Sequence, residues 1–66
     1  MINNNLMLNN VGIGIRYSDN NILECNEISK SNEFGLFLLD SSENAVQQNN
    51  LTLNNVGIGL SRSNNN

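Results

Sequence analysis

The sequence contains no histidine and no proline, a single cysteine and only three basic residues among its 66 positions. Without histidine there is no imidazole to bind a metal or to act as an acid–base catalyst. One cysteine cannot form a disulfide framework within the chain. The basic residues Arg16, Lys30 and Arg62 are scattered and outnumbered by six acidic ones, which argues against binding of nucleic acid through its phosphates.

Long apolar runs and targeting signals are also missing. No apolar run approaches the roughly 20 residues of a membrane-spanning helix, and no signal peptide follows Met1. The sequence therefore predicts no membrane insertion. Ordinary disorder is also disfavoured, because apolar residues make up 38% of the composition and disordered segments are poor in them.

The chain repeats itself at a short period. Residues 4–21 read NNLMLNNVGIGIRYSDNN, residues 49–66 read NNLTLNNVGIGLSRSNNN, and 13 of the 18 aligned pairs are identical. A weaker copy, NEISKSNEFGLFLLDSSEN, lies between them at residues 26–44. The period is therefore about 22–23 residues, which is typical of solenoid folds in which each copy forms one coil.

Within each copy, apolar residues alternate with polar ones over short runs. This period of two predicts short, half-buried strands, at about 6–8, 12–16 and 22–24 in the first copy. Asn, Ser, Asp and Gly fill the gaps and predict tight corners, because these residues tolerate left-handed backbone conformations. Three short strands that return at this period predict an all-β fold, the parallel β-helix solenoid.

We predict a single segment, residues 1–66, with coils at about 4–25, 26–48 and 49–66. The last copy ends without a capping segment, so the sequence predicts part of a longer array with neighbouring coils. Open ends of such an array expose unpaired strand edges, and we expect them to self-associate.

Two other solenoids fit less well. The leucine-rich repeat pattern requires asparagine at a position where the three copies have Arg16, Leu39 and Ser61. A left-handed hexapeptide helix needs a coil of about 18 residues, which is shorter than this period.

Alignment of the copies on Gly12, Gly35 and Gly57 places similar residues in columns. It puts the extra residue of the middle copy between Asn26 and Asn32. The apolar columns predicted to point inward are Ile13, Leu36 and Ile58, and Ile15, Leu38 and Leu60. Two columns consist of asparagine: Asn4, Asn26 and Asn49, and Asn9, Asn32 and Asn54.

The asparagine columns predict hydrogen-bonded ladders. Adjacent strands lie about 4.8 Å apart, so the amide of one asparagine can donate to the side-chain oxygen of the next. Solvated loop residues are the alternative, and we expect that role for residues 64–66.

The string N-x-x-G-I-x-L-x-x-S-x-x-N recurs in all three copies with small changes. It resembles the parallel β-helix repeats (PbH1) of the NosD-like family, which includes carbohydrate-binding and sugar-hydrolase (CASH) domains. The resemblance implies a right-handed coil and an extracellular, cell-surface or periplasmic location. It implies no active-site residue, because the motif is scaffold. Its residues in the first copy are Asn9, Gly12, Ile13, Ile15, Ser18 and Asn21.

Few residues are candidates for chemistry. Paired carboxylates perform acid–base catalysis in polysaccharide enzymes, but Asp40 shares a column with Arg62, which predicts an ion pair instead. Cys25 has no histidine partner and is not expected to be a nucleophile. Met1 and Met7 do not form a copper site by their positions. We therefore predict no catalytic residue, no metal and no cofactor.

Two aromatic residues are candidates for ligand contact. Phe37 shares an outward column with Gly14 and Gly59. Tyr17 follows Gly14 by three residues in the first copy and is expected to lie nearby. Aromatic rings on a sheet either cover adjacent glycines or stack on the apolar faces of sugars. Phe37 and Tyr17 are therefore candidates for a surface that contacts polysaccharide.

The sequence predicts a structural or binding segment of a secreted or surface β-helix protein rather than an enzyme. One alternative is the scaffold of a polysaccharide lyase or hydrolase whose catalytic coils lie outside the chain. Another is a NosD-like periplasmic accessory of copper maturation.

Overall fold

The computed structural model describes all 66 residues, and its regular structure consists only of strands. The all-β prediction is confirmed, and the first three strands begin within one residue of their predicted positions. No helix long and apolar enough to cross a membrane is present. The strands are β1 (Asn5–Met7), β2 (Val11–Arg16), β3 (Ile22–Glu24), β4 (Glu27–Ser29), β5 (Phe34–Leu39), β6 (Ala45–Gln47), β7 (Asn50–Thr52) and β8 (Val56–Ser61).

Each of the strands β1 to β5 pairs in parallel with the strand three further along the chain. The sheets have the orders β1-β4-β7, β2-β5-β8 and β3-β6, and an isolated bridge joins Ile2 to Glu24. Pairs such as Ile13 and Leu36 are 23 residues apart. We call β1–β3 the first repeat, β4–β6 the second and β7–β8 the third. This parallel pairing is compatible with a parallel β-helix.

The apolar core lies between the three sheets. It consists of Ile13, Ile15, Leu23, Ile28, Leu36 and Leu38. Four of the six residues predicted to point inward are thus buried, whereas Ile58 and Leu60 are 50% and 56% exposed. Both keep the predicted register with the second repeat, but no further strand covers them, so one side of each faces solvent.

The corners consist of a left-handed residue followed by asparagine or serine. Twelve non-glycine residues have φ between 48° and 61°, and none of the glycines has a positive φ. Each of the twelve directly precedes an Asn or Ser, as Cys25 precedes Asn26 and Asp40 precedes Ser41. Left-handed conformations cost roughly 1–2 kcal/mol for ordinary residues. Leu8 and Leu53 adopt this conformation although both are apolar. The prediction that glycine and polar residues take these positions is wrong for them.

The glycine column marks a bend in the longest strands. A Cβ atom on Gly12 would lie 2.6 Å from the carbonyl oxygen of Gly35, and one on Gly35 would lie 2.8 Å from that of Gly57. The same Cβ atoms would meet the inward side chains of Ile28 and Leu51. Two consecutive residues therefore face inward at this point, which interrupts the period of two.

The extra residue of the second repeat is Glu33. The offset between repeats is 22 at β1 and β4 but 23 at β2 and β5. The carbonyl oxygen of Asn10 accepts hydrogen bonds from the backbone N–H groups of both Glu33 and Phe34, at 2.9 and 3.3 Å. Two residues that face one in this way form a β-bulge. The predicted position, between Asn26 and Asn32, is wrong.

Candidate functional site

The first asparagine column forms a continuous series of hydrogen bonds. The Oδ1 atom of Asn26 accepts from the backbone N–H and the side-chain amide of Asn4, at 3.0 and 3.1 Å. Asn49 Oδ1 accepts from the same two groups of Asn26, at 2.8 and 3.0 Å. Because Asn26 is 1% exposed, these bonds satisfy polar groups that water does not reach.

The second asparagine column differs from the prediction. Ser31, not Asn32, occupies the position between Asn9 and Asn54, since its backbone N–H donates to Asn54 Oδ1 at 2.9 Å. Asn32 is exposed, and its side chain donates to Asn10 Oδ1 at 3.2 Å. The prediction for Asn32 is wrong because the extra residue follows Asn32 instead of preceding it.

Two further columns form ladders that the sequence did not predict, one of serine and one of asparagine. Ser41 Oγ accepts from the backbone N–H of Ser18 at 3.0 Å, and Asn44 Oδ1 accepts from that of Asn21 at 2.7 Å. Asn66, which we expected to be solvated, accepts two hydrogen bonds from Asn44, at 2.9 and 3.0 Å. The recurrence of these columns at a fixed distance from the glycines is the signal that could have identified them.

The hydroxyl of Ser31 is the weak point of the ladders. Its Oγ atom is buried and has no hydrogen-bond partner, whereas Asn54 in the next repeat also donates to the carbonyl oxygen of Ile28 at 3.1 Å. Unpartnered buried hydroxyls are unfavourable because they lose their hydrogen bonds to water. Asparagine at position 31 could make both bonds that Asn54 makes.

We therefore expect Ser31→Asn to raise the free energy of unfolding by about 2 kcal/mol, because it adds two hydrogen bonds that each typically contribute about 1 kcal/mol. The new Oδ1 would accept from the backbone N–H of Asn9, and the amide would donate to the carbonyl oxygen of Leu6. Urea denaturation followed by circular dichroism measures the change. Ser31→Ala is the control: it removes the unpartnered hydroxyl without adding a hydrogen bond, so Ser31→Asn should be the more stable of the two variants. A less stable Ser31→Asn variant would show that the column cannot hold asparagine there.

The outer face of the sheet β2-β5-β8 carries a pair of aromatic rings. The ring centroids of Phe34 and Phe37 are 4.7 Å apart, and the ring planes are tilted by 32°. Both residues are half-buried. Gly14 and Gly59 lie beside Phe37 on the neighbouring strands, and a Cβ on Gly59 would lie 2.7 Å from the ring of Phe34. Glycine at position 59 therefore leaves room for the ring.

We call these two rings and their neighbours Val11, Gly14, Val56 and Gly59 the aromatic face. Phe34 is the member that sequence reasoning missed. Strict alternation would point Phe34 inward together with Leu36, and only the bend at Gly35 places it beside Phe37. The glycine that follows an apolar residue in all three repeats is the signal for that bend.

Tyr17 does not belong to the aromatic face. It is 74% exposed and occupies a left-handed corner with φ of 49°. Phe37 pairs with Gly14, three residues before Tyr17, so the two positions are separated by about 10 Å along the strand direction. The structure therefore does not bring Tyr17 and Phe37 together.

Asp40 and Arg62 form the ion pair predicted from their shared column. The Nε and Nη2 atoms of Arg62 lie 2.8 and 2.9 Å from the two carboxylate oxygens of Asp40, which is a bidentate arrangement. The Arg62 side chain is 72% exposed, so the pair contributes only about 0–1 kcal/mol. No three His, Cys, Asp or Glu side chains lie close enough together to hold a metal ion.

The soft side chains that could bind copper are dispersed. Cys25 is a free, exposed thiol that lies 3.6 Å from Gln48 Oε1. Met7 belongs to β1, whereas Met1 lies beside β3, where its amino group donates to the carbonyl oxygen of Ile22 at 2.6 Å. The chain thus assembles no set of three soft or imidazole ligands of the kind that copper sites use.

Comparison with known proteins identifies the family. The family model described as "Periplasmic copper-binding protein (NosD)" matches residues 1–66. No curated protein matches the chain, and no solved structure does. The family match covers the entire chain and confirms the resemblance carried by the glycine, asparagine and serine columns. The chain belongs to the NosD family.

Proposed function

We propose that the three repeats are successive coils of a right-handed parallel β-helix, at about residues 4–25, 26–48 and 49–66. The sheet orders β1-β4-β7, β2-β5-β8 and β3-β6 support this arrangement, because a coil with three strands returns to the same sheet at every third strand. The right hand is the one that nearly all parallel crossover connections adopt. The NosD description supports a periplasmic location.

Within that fold we propose a structural and binding role, in which the aromatic face contacts polysaccharide. The observation that carries this proposal is the ring pair, Phe34 and Phe37, on the outer side of the sheet β2-β5-β8. The apolar C–H faces of sugar rings pack well on aromatic rings. Gly14 and Gly59 add no side chains that would shield the rings from a sugar.

The charges favour a neutral polysaccharide over an acidic one. The chain has a net charge of −3, which repels polyanions at low salt. None of the six Asp and Glu residues belongs to β2, β5 or β8, the three strands that carry the aromatic face. Arg16 is the only charged residue in those strands, and it pairs with Leu39.

The residues of this chain do not fit the copper site that the family description implies. The chain has no histidine, and Cys25, Met1 and Met7 do not converge. In a protein that binds copper, this segment would act as scaffold for ligands that other parts supply. The same applies to a polysaccharide lyase or hydrolase, for which we propose no catalytic residue here.

Titration with neutral and acidic oligosaccharides, followed by NMR, tests the binding proposal. We expect neutral oligosaccharides to shift the resonances of Phe34, Phe37 and Gly59. Phe37→Ala should weaken the binding about 2–13-fold, because a ring contact is worth about 0.5–1.5 kcal/mol. Tyr17→Ala is the matched control, an exposed aromatic residue outside the face, and should bind like the parent.

Shifts that concentrate at Tyr17, or equal weakening by the two variants, would contradict the assignment of the aromatic face. An absence of shifts with every neutral oligosaccharide would contradict the polysaccharide itself. Circular dichroism of each variant verifies that its fold is retained.

A further inference from the structure

The end of the molecule formed by β7 and β8 is an uncovered apolar surface. Ile58 and Leu60 are half-exposed there, although their counterparts Leu36 and Leu38 in the second repeat are buried. A Cβ atom on Gly57 would meet nothing within 4 Å, in contrast to Gly12 and Gly35. A groove of about 170 Å³ opens at this end and is lined by Leu36, Leu38, Val46, Ile58, Leu60 and Asn66.

The hydrogen-bonding groups at the two ends of the molecule are complementary. In the first two repeats, the backbone N–H of each ladder residue except Asn9 donates to a side-chain oxygen of the next repeat. Asn9 is the exception because it faces the unpartnered hydroxyl of Ser31. In the third repeat, the N–H groups of Asn49, Asn54, Ser63 and Asn66 all lack such a partner. The side-chain oxygens without a donor, at the opposite end, are those of Asn4, Asn9, Ser18 and Asn21.

From this match we propose that two copies of the chain bind head to tail, with the first repeat of one copy stacked on the third repeat of the other. Residues 4–21 and 49–66 are identical at 13 of 18 positions. The first repeat therefore presents to a partner nearly the same edge that the third repeat already presents to the second. Such a contact uses different patches on the two copies, and its repetition produces an open filament.

The charges permit this contact. By the register of the sheets, Arg62 of one copy would face Tyr17 of the other, and Arg16 would face Ser61. Asp19, Ser42 and Asn64 share one column, so Asn64 of one copy would face Asp19 of the other. No two like charges therefore face each other across the proposed interface, although each copy is negative overall.

The first two residues complete the interface. Ile2 pairs with Glu24 and thereby places Met1 beside Leu23, the inward residue of β3. Val46 occupies the same column in the second repeat, and it lines the groove at the uncovered end of the molecule. Met1 of the incoming copy would lie above Val46 and fill part of the groove, while its Ile2 would pair with Gln47.

Analytical ultracentrifugation of residues 1–66 over a range of concentrations tests the proposal. We expect mass to rise with concentration, and Gly57→Ala to raise the dissociation constant about 10–100-fold, because the new Cβ would collide with the incoming backbone. Gly14→Ala is the matched control. Its Cβ would touch only Val11, at 3.7 Å, so it should associate like the parent. Circular dichroism should be unchanged for both.

A second variant, Leu60→Lys, keeps a long apolar stem while placing a charge in the interface, and it should also associate more weakly than the parent. A parent chain that stays monomeric at all concentrations would overturn the proposal. So would a Gly57→Ala variant that associates as tightly as Gly14→Ala, because association would then use another surface.

Discussion

Leu38→Ala is expected to lower the free energy of unfolding by about 2–5 kcal/mol, the range measured for buried leucines replaced by alanine. Leu38 has no exposed surface and lies between Ile15 and Leu60 on the adjacent strands. Removal of its side chain leaves a cavity that these neighbours cannot close without shifting their strands. Urea denaturation, performed where the chain is monomeric, measures the loss.

Leu60→Ala is the matched control, because it removes the same side chain from the same column. Leu60 is 56% exposed, so its truncation removes less buried apolar surface and should cost clearly less than that of Leu38. Equal losses for the two variants would contradict the assignment of Leu38 to a covered core and of Leu60 to an open end.

Asn26→Ala is expected to lower the free energy of unfolding by about 1–3 kcal/mol, the cost of leaving buried polar groups without partners. The substitution removes the oxygen that accepts from both the backbone and the side chain of Asn4. It also removes the amide that donates to Met1 O and Asn49 Oδ1. Denaturation of the variant by urea measures the effect.

The control for Asn26 is Asn50→Ala, which changes an exposed asparagine of β7. Its side chain faces solvent, and the change should stay within about 0.5 kcal/mol. If Asn50→Ala cost as much as Asn26→Ala, the loss would reflect asparagine content or strand propensity and not the ladder.

The strands and the inward columns could be predicted because they depend on short-range patterns. Alternation around Ile13 and Ile15 is enough to define a strand, and the period of 22–23 residues aligns it with Leu36 and Leu38. Glu33 could not be located in this way. Several positions between β4 and β5 can absorb one extra residue, and the choice depends on which N–H groups reach the carbonyl oxygen of Asn10.

The candidate site was harder to predict because it depends on the bend at Gly35. Alternation assigns Phe34 to the inner side, and the only sign that two consecutive residues face inward is the glycine that follows an apolar residue in each repeat. The left-handed corners posed a similar difficulty. Leu8 and Cys25 have no preference for positive φ, and they adopt it because Asn9 and Asn26 follow them at the ladder positions.

The central claim is that the three repeats stack in parallel, so that each repeat contacts only the repeats directly adjacent to it. NOE contacts between selectively labelled methyl groups, recorded where the chain is monomeric, test it most directly. The account predicts contacts from Ile13 to Leu36 and from Leu36 to Ile58, with none from Ile13 to Ile58. Direct contacts between Ile13 and Ile58, or an absence of contacts from either residue to Leu36, would contradict it.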